Sequence, residues 1–266
     1  MPRTYPKTTA DTRRFTRHSR AMQRYLKIAA NMLAPPYCVF CGTRLGDRRV
    51  CAPCHDDLPW LEAACPGCAE PLASAISNGC GPGARCGACQ RHPPPWSACR
   101  AALHYSFPVD SALKALKFRA CLYYAPAFAA LLAPIVSRHF NDVDALVPVP
   151  LHRLRQARRG FNQAREIAQS LGRTTGLPVQ DVARRVRQTA SQSGLDRDAR
   201  SKNLRGAFRV AARLPCRYPL IIDDVMTTGE TCRHLASVLL QSGARRIAVL
   251  TVARAATPYA AGGVNV

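Results

Sequence analysis

Acidic residues are scarce in this chain: 266 residues hold 16 Asp and Glu against 38 Lys and Arg, a formal charge of +22. That balance is unlike an ordinary small-molecule enzyme and points to a polyanionic partner, bound with weak sequence preference and strong salt dependence. Residues 1–36 carry eight Lys or Arg and one acid, Asp11; residues 101–266 carry 24 basic and ten acidic residues. No run reaches 18 consecutive apolar residues, so no transmembrane segment is expected, and the short apolar stretch Pro126 to Val136 reads as a core helix. A convincing secretory signal is also missing, which argues against a disulfide-built protein and for a soluble one in the reducing cytoplasm. The Gly-x-x-x-x-Gly-Lys-Ser/Thr pattern is absent, which excludes a Walker phosphate loop.

Cysteine, by contrast, is abundant, with 13 residues. Eight of them form four Cys-x-x-Cys knuckles: Cys38/Cys41, Cys51/Cys54, Cys65/Cys68 and Cys86/Cys89. One such pair beside a βαβ unit could be a redox site, but four in tandem supply eight thiolates for two tetrahedral Zn²⁺ sites. The simplest pairing is sequential, with Cys38, Cys41, Cys51 and Cys54 on one zinc and Cys65, Cys68, Cys86 and Cys89 on the other. Cys80 is a spare within reach of a neighbour. Cys99, Cys121, Cys216 and Cys232 lack knuckle spacing and read as small buried apolar residues. Four-sulfur coordination leaves no open position, so these metals are expected to stabilise a small domain and not to catalyse.

The C-terminal part alternates strand and helix. Asp144 to Pro150 reads as a buried strand ended by proline, Phe161 to Leu171 as a helix stopped by Gly172 and Gly176, and Glu230 to Gln241 as a helix with Gly243 beyond it. Ile247 to Val252 supplies another strand. This order predicts a doubly wound parallel α/β sheet. The expected division is a basic arm over 1–33, with Met22 and Met32 as alternative starts, a Cys-rich region over 34–100 and the α/β domain over 101–266.

The run Leu220-Ile221-Ile222-Asp223-Asp224-Val225-Met226-Thr227-Thr228-Gly229-Glu230-Thr231 carries the chemistry. Three apolar residues deliver two carboxylates to a strand end, where open α/β sheets place their ligands. The Thr/Gly turn then opens a helix, whose first N–H groups are unpaired and suit an anion. The string resembles the phosphoribosyl-pyrophosphate (PRPP) loop of type I phosphoribosyltransferases. That resemblance implies that Asp223 and Asp224 contact ribose hydroxyls, with Mg²⁺, while Thr227, Thr228, Gly229, Glu230 and Thr231 hold the 5′-phosphate and Val225 and Met226 join them in the phosphoribosyl site. Upstream, Arg153, Arg155, Arg158 and Arg159 make a dense cationic loop before Gly160; guanidinium suits pyrophosphate oxygens, and Arg155, Arg158 and Arg159 are the candidates.

Val147-Pro148-Val149-Pro150-Leu151, Arg159-Gly160-Phe161-Asn162-Gln163-Ala164, Arg187-Gln188-Thr189-Ala190-Ser191-Gln192-Ser193-Gly194-Leu195 and the later Arg200, Asn203 and Gly206-Ala207-Phe208 resemble the ComF family of phosphoribosyltransferase-like competence proteins. The resemblance implies a type I phosphoribosyltransferase-like fold preceded by a double zinc ribbon, and a role in uptake of transforming DNA beside other competence proteins. It also implies that 187–208, with Gln192, Arg200 and Asn203, is either a loop closing over PRPP or a surface linker. Single-stranded DNA fits that family as the polyanion, with Phe118, Tyr123, Tyr124 and Trp96 as stacking candidates. Lys114 and Lys117 occupy a segment where ComF relatives carry a Lys near an aromatic; two Lys three apart otherwise read as a solvated helix face. Two readings stay open: a Mg²⁺-dependent phosphoribosyltransferase, or a module that binds PRPP or a nucleotide as a ligand while other faces bind DNA or partners. No hood for an acceptor base is recognisable in 101–140 or 256–266.

Overall fold

The computed structural model describes residues 37–46, 48–72, 84–186, 206–210 and 214–255. The readings made for the basic arm, Cys80, Gln192, Arg200 and Asn203 fall outside these residues. The chain divides into two compact units, Met1–Cys51 and Ala52–Val266. In the first, the Cys38 N–H donates to the Thr43 carbonyl at 2.8 Å and the Gly42 N–H to Cys38 O at 2.9 Å. Gly42 takes φ 76°, a left-handed turn that glycine enters without steric cost.

The second unit opens with two short helices, α1 (Ala52–Asp56) and α2 (Gly87–Arg91), and continues as β1 (Ala98–His104), α3 (Val109–Arg119), α4 (Tyr124–His139), β2 (Ala145–Pro148), α5 (Arg153–Arg159), α6 (Gln163–Thr175), β3 (Ala183–Arg185), β4 (Phe208–Val210), β5 (Pro219–Met226), α7 (Glu230–Gln241) and β6 (Ala248–Arg254). Four strands form one sheet in the order β1-β6-β5-β2, every pair parallel. Such a sheet is buried on both faces, which is why its strands read as continuous apolar runs: β6 is buried at all seven positions. Cys232, Leu235, Ala236 and Leu239 of α7 pack with Cys99, Ala101, Val147, Ile221 and Val249 on one face. Leu146, Leu220, Ile222 and Leu250 alternate to the other, where α6 lies on β2 and β5 and also against α4. The doubly wound α/β architecture expected from the alternation is the one observed.

Three local differences have physical reasons. The helix expected over 161–171 spans 163–175, because Asn162 caps its start and the left-handed Gly176 (φ 79°) ends it. Gly172 lies inside it; a Cβ there would stand 2.8 Å from the Leu177 carbonyl oxygen, so this glycine permits a close chain approach and is not a stop. The arginine segment is a two-turn helix, α5, closed by Gly160 at φ 79°, where a cationic loop was expected. An antiparallel pair, β3 with β4, was not foreseen; it sets the Arg185 guanidinium 5.6 Å from the Phe208 ring centre.

Candidate functional site

β5 and β2 both end at one cavity of about 300 Å³, at the C-terminal edge of the sheet, the expected place for a ligand in an open α/β sheet. The apolar run Leu220–Ile222 is fully buried and fixes the strand that presents the two aspartates there. The Asp224 carboxylate, 6% exposed, meets the Lys117 ammonium at 2.8 Å. The Asp224 N–H donates to Asp223 Oδ1 at 2.9 Å. Burial, and then the charge of Asp224, pushes the Asp223 carboxyl well above the usual range. Burial would raise Asp224 too, but the Lys117 ammonium overrides it and holds that carboxyl below its usual value. Lys117 mirrors this: burial works to lower it, and the two aspartates raise it. The pair therefore consists of one acid held by its ion pair with Lys117 and one that burial and its acidic neighbour push towards the protonated form.

Thr227, Thr228, Gly229, Glu230 and Thr231 line the same cavity, beside Val225 and Met226. Gly229, at φ 77°, makes the turn into α7. The first-turn N–H groups of that helix have no partner within it and face the cavity end with the positive pole of its dipole. Glu230 is buried, with its carboxylate 3.6 Å from Arg233 Nε and 4.0 Å from His234 Nε2, so it serves the helix's own ion pairs.

From the β2 side, α5 contributes Arg155 and Arg159 to the cavity, one helical turn apart, while Arg158 is exposed and does not line it. Arg159 donates to Gln163 Oε1 at 3.2 Å. The Arg-Gly-Phe-Asn-Gln run has a structural logic: Gly160 ends α5, then Asn162 accepts from the Ala164 N–H at 3.1 Å and donates to the Val149 carbonyl at 2.9 Å. A buried amide thus fixes the start of α6 to the end of β2. Sequence reasoning did not place Tyr105, Gln163 or Arg185 here, and it left Lys117, with Lys114, between a ligand role and a solvated helix face. Lys114 fits the solvated face, exposed and paired with Asp110 at 2.7 Å. The signal available for Lys117 was its place one turn after Leu113 on the apolar side of α3. Among the stacking candidates, Phe118 is 68% exposed and Tyr123 52%, but Trp96 is buried at 5% and so is corrected to a core residue.

The eight knuckle cysteines gather in two groups, Cys38/Cys41/Cys51/Cys54 and Cys65/Cys68/Cys86/Cys89, each with its sulfur atoms within 4.8 Å of one another. Cys41 and Cys51 sulfurs are 3.6 Å apart, as are those of Cys68 and Cys86. Tetrahedral zinc with bonds of about 2.3 Å requires sulfur pairs at about 3.8 Å, so the donor sets fit the metal. Backbone N–H groups also point at the thiols: Cys51 N to Cys38 Sγ at 3.4 Å, Gly67 N to Cys65 Sγ at 3.4 Å and Cys86 N to Cys65 Sγ at 3.2 Å. A Cβ at Gly67 would meet Cys89 Sγ at 2.9 Å, so glycine keeps this knuckle tight.

The second cluster is tied to the Thr/Gly turn. Arg254, the last residue of β6, is 4% exposed; its guanidinium pairs with Glu70 and donates to Cys68 O at 3.0 Å, Met226 O at 3.1 Å and Thr227 O. Trp96 Nε1 donates to Gly67 O at 2.7 Å, and a Cβ on Gly229 would touch the same indole at 3.7 Å. No sequence signal marked Arg254, a cation at the end of an apolar strand.

These features define the class: an α/β protein with a parallel sheet, a cavity at its strand ends and a Cys-rich zinc-ribbon region at its N-terminal side. A family model described as a double zinc ribbon domain matches residues 29–90. The chain is 32% identical over 231 residues to the DNA utilization protein YhgH of Salmonella typhimurium, covering 84% of this chain and 99% of that protein. It is 33% identical over 179 residues to competence protein F of Haemophilus influenzae, covering 64% of this chain and 78% of that one. Competence protein ComFC of Bacillus subtilis matches at 27% over 155 residues, covering 54% and 58%. The chain belongs to the ComF family of competence and DNA-utilization proteins. Among solved structures, the UMP synthase of Leishmania donovani overlaps 52% of the chain at 16% identity and a TM-score of 0.29; the chain spans 24% of that protein. No helix among the described residues is long and apolar enough to cross a membrane.

Proposed function

We propose that this protein binds PRPP with Mg²⁺ in the cavity between β2 and β5, and single-stranded DNA on its basic surface, in the handling of incoming DNA in the cytoplasm. One observation carries the first part: paired aspartates at a strand end, one ion-paired with Lys117 and one pushed towards its protonated form, stand between a Thr/Gly turn at a helix start and two arginines. A ribose diol or a hard divalent cation suits the half-buried Asp223, oxygen donors being what Mg²⁺ selects. Asp223 and Asp224 would hold the ribose hydroxyls and the metal, Thr227 to Thr231 the 5′-phosphate, and Arg155 and Arg159 the pyrophosphate. Arg158, exposed beside them, is available to a longer polyanion. Bound Mg²⁺ would neutralise pyrophosphate oxygens. The fixed charges of Arg155, Arg159 and Lys117 would favour a polyanionic leaving group without any protein nucleophile.

The domain plan that accompanies this reading keeps residues 34–100 as the double ribbon and 101–266 as the ligand-binding body. The names of the relatives, DNA utilization and competence, support the DNA part, as does the formal charge of +22. A second reading, in which PRPP is a ligand without turnover, is favoured by the lack of any base-reading hood among the described residues. The deciding experiment incubates zinc-loaded protein with PRPP, Mg²⁺ and a panel of bases and single-stranded DNA and measures pyrophosphate release. Release that disappears in Asp224→Asn supports an enzyme; tight PRPP binding with no release under any acceptor supports the ligand-binding module.

A further inference from the structure

We infer that a cleft built on α3, contiguous with the phosphoribosyl cavity, seats a base of single-stranded DNA. The inference rests on the reading just given, because it sets that base beside the PRPP ligand. The cleft, about 620 Å³, is walled by Tyr105, Leu113, Phe118 and Val225. Tyr105, Lys117 and Val225 line both cavities, so an occupant of the cleft borders whatever fills the phosphoribosyl site.

Phe118 is the anomaly that needs explaining. It sits near the end of α3 with 68% of its surface in water, although burying such a ring is favourable. The fold does not use it as core. It does supply a cation beside it: the Arg159 guanidinium lies 5.1 Å from the Phe118 ring centre, and the Lys114 ammonium lies 6.0 Å from that of Tyr105. Arg119 completes the rim. Exposed aromatic faces interleaved with cations are what a single strand requires, the rings taking bases and the cations the phosphates.

The lining also tells how a base would be read. Among the described residues it holds no Asn or Gln, and its one aliphatic hydroxyl, Ser111, donates to Asp110 at 3.2 Å. Lys114 is likewise paired to Asp110 and Lys117 to Asp224. Little is left to recognise a base edge, so binding is by stacking and tolerates any base. A free base would gain only that stacking, whereas a base within a strand adds its neighbouring phosphates on Arg119 and the surrounding basic surface. The occupant is therefore the strand.

Fluorescence anisotropy with a labelled 20-residue oligothymidylate and zinc-loaded full-length protein tests this. Phe118→Ala is expected to weaken oligonucleotide binding about 5- to 150-fold, from the 1–3 kcal/mol typical of one stacked base, with an unchanged salt slope because no phosphate contact is lost. Phe118→Trp, which keeps a ring beside Arg159, should restore oligonucleotide binding and leave PRPP affinity by calorimetry within about threefold of wild type. Unchanged oligonucleotide affinity in Phe118→Ala, or failure of Phe118→Trp to restore it, would overturn the inference. Thymidine monophosphate competing at the same concentration as the oligonucleotide would also overturn it. If wild-type protein ignores PRPP while the Phe118 series behaves as described, the phosphoribosyl reading fails and the base cleft stands.

Discussion

Arg254 gives the most demanding test of how the ribbon and the ligand loop depend on each other. Its guanidinium, 4% exposed, serves Glu70 and Cys68 on the cysteine-cluster side and Met226 and Thr227 on the side of the Thr/Gly turn. Replacement by Met keeps most of the stem and removes every one of these donors. Breaking a buried ion pair from one side costs about 3–5 kcal/mol, and the 15% exposure of Glu70 argues for the lower end. At roughly 2–4 °C per kcal/mol for a domain of this size, Arg254→Met should lower Tm by about 6–12 °C. Arg254→Lys should recover little, because an ammonium is a point donor and the acceptors are spread around a planar fork. The assay pairs a thermal melt with PRPP titration below the melting range and a zinc measurement. The expected signature is weakened PRPP binding in folded protein whose zinc remains bound. A variant that melts at the wild-type temperature and binds PRPP normally would refute the bridging role.

Asp223 and Asp224, though adjacent, should respond with opposite signs. Asp223 has a raised carboxyl pKa, so its contribution favours folding while it is protonated and is lost as pH climbs from the unfolded value near about 3.9 towards the folded one. Asp223→Asn should therefore raise Tm of the ligand-free protein at pH 7, flatten the decline in stability above pH 4 and abolish PRPP binding. Asp224→Asn should lower stability by about 3 kcal/mol, because it strands the Lys117 ammonium that it now pairs at 2.8 Å. Equal and same-signed melting shifts in the two variants would count against this electrostatic account. Gly67→Ala should cost the second cluster its metal, since the new Cβ would stand 2.9 Å from Cys89 Sγ; two zincs in that variant's metal assay would contradict the tight-knuckle argument.

Much of this was readable before any coordinates, for reasons that differ by element. β5 and β6 are legible because parallel strands buried on both faces must be apolar throughout, and the Asp-Asp/Thr-Thr-Gly string is contiguous, so one segment of chain carries one whole wall of the cavity. The cysteine knuckles are legible for the same reason: metal spacing is local. Lys117, Arg185 and Arg254 were hidden because their roles depend on strand order. Nothing within α3 says that its Lys117 faces Asp224, 107 positions later, while its neighbour Lys114 faces Asp110 one turn away. Gly172 misled because glycine has two uses, ending helices and admitting neighbours, and only the Leu177 carbonyl beside it tells which applies. Trp96 misled in the opposite direction: an aromatic suited to stacking on DNA is instead held by the Gly67 carbonyl in the core.

The central claim, that the cavity at the ends of β2 and β5 is a phosphoribosyl site, is met most directly by calorimetric titration of zinc-loaded protein with PRPP, with and without Mg²⁺. The account predicts saturable one-site binding that needs Mg²⁺ and is lost in Asp224→Asn and weakened in Arg159→Met. Absence of binding by folded, zinc-replete wild-type protein, or binding indifferent to both substitutions, would contradict it.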